Sequence, residues 1–149
     1  MNKFALVYAM VWIMRVLIVD DEELNRKVLY LMLTRGCGSP EPDFARSSQE
    51  AVSMYLRSVT ENRPYSLLFL ESNVSGFNDC LMLKTMFEQL AEGITTVCMT
   101  TFADNYRMDL VNALPDGVVR RYLSKPLDLA ELRRIYHDAC TAYGAGTPR

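Results

Sequence analysis

The sequence predicts an α/β fold in which five parallel strands alternate with five helices. Short apolar runs, such as SLLFL at 66–70, have the length and composition of buried strands, and segments with apolar residues at helical spacing lie between them. Alternation of this kind indicates βαβ units with right-handed crossovers. Because the central strands are nearly all apolar, we expect helices on both faces of the sheet.

Each element is predicted from its own local pattern. The predicted strands are 15–20, 43–47, 66–70, 95–100 and 117–123. The predicted helices are 22–35, 48–62, 80–92, 103–114 and 128–143. Ser47 or Ser48 is the expected N-cap of the second helix and Asp128 that of the last, because short polar side chains accept hydrogen bonds from free amides at helix starts.

Composition limits the class of protein. A chain of 149 residues is the usual size of one domain. The net charge of −2 disfavours a nucleic-acid binder, which needs a basic surface to neutralise phosphates. The four cysteines are widely spaced and form no CxxC pair, so we expect reduced, mostly buried thiols in a cytoplasmic protein. Cys37, between two glycines, is expected to be the most exposed of them.

The chain begins with an apolar segment, Phe4–Ile13, which is too short to span a bilayer by itself. We interpret residues 1–13 as an extension of a domain that covers 14–143, followed by a tail at 144–149. The alternative is an extra strand or helix that packs on the domain or on a partner chain, since an exposed apolar segment favours association. A homodimer is therefore left open, and a membrane location is not expected.

Polar side chains stand where the predicted strands end. They are Asp20 and Asp21, Glu71, Thr100 and Thr101, and Lys125. In parallel sheets of this type, ligands bind outside the carboxyl ends of the strands, so these side chains should share one pocket. Clustered carboxylates repel one another unless a cation lies between them, and oxygen ligands suit Mg²⁺. A hydroxyl and an ammonium beside that ion would hold the oxygens of a phosphoryl group.

Four motifs at these strand ends resemble the receiver domain of two-component response regulators. They are VLIVDDEELNRKVL, LLFLESN, VCMTTFA and YLSKP, in this order, and the resemblance extends from about residue 14 to 143. It implies a flavodoxin-like (CheY-like), doubly wound, five-stranded parallel sheet of order 2-1-3-4-5. It also implies a domain that takes a phosphoryl group from a histidine kinase onto an aspartate beside Mg²⁺.

The resemblance also implies roles for individual residues. Thr100 matches the switch hydroxyl that turns toward the phosphoryl group, and Lys125 matches the lysine that pairs with it. Tyr122 matches the aromatic residue whose inward or outward rotamer reports activation, although ordinary core packing is the alternative. The implied metal ligands are Asp20, Asp21, Glu71 and the backbone of Asn73.

Glu71 stands at the phospho-acceptor position, where the family has aspartate. One extra methylene carries its carboxylate further into the pocket, where it could pair with Lys125 and accept a hydrogen bond from Thr100. We expect this pair to hold an active-like state without phosphate. The alternatives are a dead pocket, in which Glu71 only neutralises Lys125, and phosphorylation of Glu71, which its displaced position disfavours. Magnesium binding is expected to be weakened.

Three classes of function were compared. A signalling receiver without an output domain of its own, acting through contacts with a histidine kinase or another signalling protein, agrees with all four motifs. A metal-dependent phosphatase would need an aspartyl nucleophile, which FLESN lacks, and a nucleotide-binding domain would need a glycine-rich loop after the first strand. We therefore expect a non-enzymatic receiver, with His137, the single histidine, structural or solvated.

Overall fold

A computed structural model of the protein describes residues 14–71, 96–102 and 119–145. Several predictions of the preceding subsection lie outside these residues. They are the apolar segment Phe4–Ile13, the loop after Glu71 with Asn73, and the predicted helices 80–92 and 103–114.

The described strands and helices lie at the predicted places along the chain, with small shifts at their ends. The strands are β1 (Val16–Val19), β2 (Asp43–Ala45), β3 (Leu67–Glu71), β4 (Thr96–Phe102) and β5 (Val119–Lys125). The helices are α1 (Glu23–Leu31), which continues as a π-helical turn (Met32–Gly36), α2 (Ser48–Thr60) and α3 (Leu129–Ala145). Both β3 and β5 run further than expected and include Glu71 and Lys125 themselves, and α3 runs two residues past the predicted boundary at 143.

The five strands form one parallel sheet in the order β2-β1-β3-β4-β5, which confirms the predicted topology. At the centre of the sheet, Ile18 lies opposite Phe44 on one side and Phe69 on the other. At its carboxyl edge, Glu71 lies opposite Thr100. This register decides which side chains meet at the end of the sheet where ligands are expected.

Both faces of the central strands are buried. Val16, Ile18, Leu67 and Phe69 pack in one cluster with apolar residues of α1, its π-helical turn and α3, including Leu29, Leu33, Leu132 and Ile135. Successive strand residues point to opposite faces, so Leu17, Val19, Leu68 and Leu70 face the other side, and all four are buried as well. This two-sided burial explains the continuous apolar runs in the sequence.

Both predicted N-caps are confirmed. The Ser47 hydroxyl accepts a hydrogen bond of 3.1 Å from the Glu50 amide at the start of α2. The Asp128 carboxylate accepts one of 3.0 Å from the Ala130 amide at the start of α3. These bonds satisfy amides that have no partner within the helix.

The end of the first helix differs from its prediction as a continuous α-helix to residue 35. After Leu31 the chain widens into a π-helical turn, which is uncommon and occurs mostly as a single turn. The turn ends at Gly36, whose carbonyl accepts a 2.9 Å hydrogen bond from Arg133 of α3. A Cβ at this position would lie 2.6 Å from Cδ1 of Leu129, so glycine allows the turn to pack closely on α3.

The cysteines in the described ranges carry free thiols, as predicted. Cys98 is fully buried, and its burial raises the pKa of the thiol to about 12. Cys37, which was predicted to be the most exposed, is half-buried because its turn packs against the core cluster. Cys140 is half-buried too, and Cys80 lies outside the described residues. No helix within the described ranges is both long enough and apolar enough to cross a membrane.

Candidate functional site

Four of the predicted site residues meet at the carboxyl edge of the sheet. Asp20 directly follows β1, Glu71 ends β3, Thr100 lies in β4 and Lys125 ends β5. Parallel strands that are in register bring these positions to one edge. Each of the four residues is at most 9% exposed, so the charges among them interact in a poorly hydrated environment.

Lys125 lies at the centre of this group. Its Nζ donates a 2.9 Å hydrogen bond to Oδ2 of Asp20 and a short one to Oε2 of Glu71. Buried ions persist in proteins when they are paired and hydrogen-bonded. The ammonium therefore offsets the repulsion that two neighbouring buried carboxylates would otherwise have.

Glu71 also faces the hydroxyl of Thr100. The two residues are register partners on β3 and β4, and Oγ1 of Thr100 lies 3.5 Å from Oε2 of Glu71, which is a long hydrogen bond. The longer glutamate side chain thus makes both contacts that were expected of it, one with Lys125 and one with Thr100.

Backbone and side-chain contacts hold Asp20 in place. Its Oδ1 accepts a 2.9 Å hydrogen bond from the Glu22 amide, which leaves Oδ2 for Lys125. The buried guanidinium of Arg26 donates a 2.8 Å hydrogen bond to the Asp20 carbonyl. Arg26 was not predicted to belong to this site. The sequence nevertheless indicates a buried role for this arginine, because Arg26 lies on the same helical face as the core residues Leu29 and Leu33. An arginine at a core position needs a buried hydrogen-bond acceptor.

Asp21 and Tyr122 lie outside this group. Asp21 is exposed, so the adjacent acidic residues Asp20 and Asp21 do not enter the pocket as a pair. Tyr122 is 40% exposed, so it is not a fully buried core residue. Its role as a switch stays a prediction. His137 is exposed on α3, in agreement with a solvated side chain.

In the described part of the site, the carboxylates of Asp20 and Glu71 are engaged with Lys125 rather than arranged around a metal. Across residues 14–71, 96–102 and 119–145, no three acidic, histidine or cysteine side chains lie close enough together to hold a metal. The oxygens of Asp20 and Glu71 that approach each other are both bound to the Lys125 ammonium. Mg²⁺ requires near-octahedral oxygen ligation, so an ion would have to displace that ammonium. Magnesium binding through Asp20, Asp21, Glu71 and Asn73 stays a prediction.

The pocket also affects the protonation of Lys125. Burial alone would lower the pKa of its ammonium, but the hydrogen bonds and negative charges of Glu71 and Asp20 outweigh burial and raise this pKa above its ordinary value. Lys125 is therefore charged in the folded protein at neutral pH.

This raised pKa predicts a loss of stability at alkaline pH. A group whose pKa is higher in the folded state stabilises fully below its unfolded pKa, about 10.4 for lysine, and this stabilisation declines as the pH rises through the folded pKa. We expect the difference in unfolding free energy between the wild type and Lys125→Met, measured in urea, to narrow above that pH. Lys125→Met is the proper reference because the pKa values of the buried Tyr65 and Tyr136 are raised as well. Ionisation of these two tyrosines destabilises both proteins at alkaline pH. A difference that stays constant would contradict the prediction.

The sheet order, the parallel register and the buried cluster at the carboxyl edge define the CheY-like receiver fold, and comparison with solved structures agrees. The receiver domain of an HD domain-containing protein from Pseudomonas fluorescens Pf-5 has a TM-score of 0.68 and 23% identity, over 89% of this chain and 98% of that one. A chain of the CheX–CheY–BeF3–Mg²⁺ complex from Borrelia burgdorferi has a TM-score of 0.65 and 22% identity, over 84% and 87%.

A comparison with curated proteins finds a similar sequence in a much longer chain. The osmosensing histidine protein kinase SLN1 of Saccharomyces cerevisiae is 26% identical over 129 residues, which are 87% of this chain. The matched region is 10% of that kinase. No protein-family model matches the chain.

Proposed function

We propose that the chain is an atypical receiver in two-component phosphorelay signalling, with Glu71 in place of the phospho-acceptor aspartate. In this role it is not an enzyme, and it acts through contacts with a histidine kinase or another signalling protein. The observation that carries the proposal is the buried contact of Glu71 with Lys125 and Thr100 at the carboxyl edge of a receiver fold.

The contacts of Glu71 replace those that a phosphoryl group would make. In receivers, the lysine and the hydroxyl at these positions bind the phosphoryl oxygens, and here both face a carboxylate that is a permanent part of the chain. The charge needed to hold Lys125 and Thr100 toward the pocket is thus present without a kinase.

The same contacts disfavour phosphorylation of Glu71. Its carboxylate is bound to Lys125 and lies one methylene further along the side chain than the aspartate of typical receivers. A displacement of about 1 Å in the reacting atoms costs about 100-fold in rate. Any Mg²⁺ that assisted transfer would have to compete with Lys125 for Asp20 and Glu71, so its affinity is expected to be low.

Glu71→Asp tests this proposal. Shortening the side chain moves the carboxylate back from Lys125 and opens space for a phosphoryl group. With a small phosphodonor such as phosphoramidate and Mg²⁺, we expect the variant to form an acid-stable, base-labile acyl phosphate, at least about 100-fold more than the wild type. Intact-mass spectrometry measures the fraction labelled.

A second variant makes the test specific. Asp20→Asn combined with Glu71→Asp should lose the label, because Asp20 is the buried carboxylate beside the acceptor position. Circular dichroism and urea unfolding verify that all three proteins are folded. Robust labelling of the wild type would contradict the proposal, and so would a Glu71→Asp variant that folds but takes no phosphoryl group.

A further inference from the structure

The outward face of α1 carries an apolar stripe. Leu24, Val28 and Leu31 are between 42% and 72% exposed, and their spacing of four and three residues places them on one side of the helix. The opposite side, with Leu29, packs into the core. Within the described part of the chain, the stripe therefore lies at the surface and outside the core cluster.

The two ends of this face carry opposite charges. Asp21, Glu22 and Glu23 are exposed at the start of α1, and Arg35 is exposed in the turn that follows it. A surface that is acidic at one end, apolar in the middle and basic at the other is complementary to an inverted copy of itself. Antiparallel packing also brings the positive end of each helix dipole near the negative end of the other.

We propose that this face joins two copies of the chain through antiparallel α1 helices related by a two-fold axis near Val28. An isologous interface of this kind places the same patch on both sides. Leu24 then lies opposite the partner subunit's Leu31, and Asp21 approaches the partner subunit's Arg35. Lys27, which pairs with Glu23 within its own helix at 3.1 Å, borders the stripe.

The size of the stripe determines the strength of this association. Stable interfaces bury about 800 Å² on each partner, and three side chains supply less than that. The dimer is therefore weak and forms at high protein concentration. Since the paired charges are exposed, salt screens them and weakens the dimer further.

Sedimentation velocity of the full chain, from micromolar to near-millimolar concentration, tests the proposal. The weight-average sedimentation coefficient of the wild type should rise with concentration, and Val28→Asp should keep it at the monomer value. Val59→Asp is the matched control, because Val59 on α2 is 43% exposed against 42% for Val28 and lies outside the stripe. It should associate like the wild type.

A charge exchange tests the antiparallel arrangement. Arg35→Asp and Asp21→Arg should each weaken association, since each places like charges together at both ends of the interface. The two substitutions combined in one chain should restore it, because the ends are again complementary. A wild type that stays monomeric throughout would overturn the proposal. Equal effects of Val28→Asp and Val59→Asp, or a double exchange that restores nothing, would overturn it as well.

Discussion

Replacement of Lys125 by methionine is expected to lower the free energy of unfolding by about 3–5 kcal/mol at neutral pH. The substitution removes the cation from between Asp20 and Glu71, whose carboxylates are almost fully buried. Methionine fills most of the volume of the lysine side chain, so the loss reports charge and hydrogen bonding rather than a cavity. Urea unfolding followed by circular dichroism measures it.

Lys27→Met is the control for this prediction. It makes the same substitution in an ion pair of similar length, with Glu23, on the exposed face of α1. Exposed pairs of this kind contribute about 0.3–0.5 kcal/mol. A triple variant that also carries Asp20→Asn and Glu71→Gln should recover part of the stability lost in Lys125→Met, because neither carboxylate is then left buried without its cation. Similar losses in Lys125→Met and Lys27→Met would contradict the buried network.

Phe69→Ala is expected to lower the free energy of unfolding by about 3–5 kcal/mol. Phe69 is fully buried in the central strand β3, between Ile18 of β1 and Cys98 of β4. The substitution removes apolar area from the core cluster and leaves a cavity that neighbouring strands cannot close, since the ladders on both sides hold their positions. Urea unfolding measures the change.

Phe44→Ala is the matched control for Phe69→Ala. Phe44 lies in the edge strand β2, is partly exposed and packs against the ring of Tyr30 at 5.7 Å between centroids. Part of its area is already in contact with water, so we expect a loss of about 1 kcal/mol. If the two variants lost the same stability, the assignment of β3 as the buried centre of the sheet would be wrong.

The sheet was predictable because burial leaves a simple pattern. VLIV in β1 and LLFL in β3 are apolar at every position, and only a strand covered on both faces requires this. The capping residues Ser47 and Asp128 were predictable for a local reason, since each bonds an amide two or three residues away. The π-helical turn at Met32–Gly36 was not, because it ends where Gly36 packs on α3, far away in sequence.

The sequence predicts which residues form the site better than it predicts how their side chains are arranged. Because parallel strands end at one edge, Asp20, Glu71, Thr100 and Lys125 were expected together, and they are. The exposure of Asp21 and of Tyr122 was not predicted, since both depend on where a side chain lies after the strands have packed. The contact of Arg26 with the Asp20 carbonyl depends on the same packing.

The sequence by itself determined the class of fold, the order of the described elements and the polar residues at the ends of the strands. Each of these follows from residue types and their spacing along the chain. Only the tertiary structure decided what Glu71 contacts, because its partners Lys125 and Thr100 are 54 and 29 residues away in sequence. The contacts of Glu71 with Lys125 and Thr100 depend on strand register and burial, which together place the three side chains in one buried network.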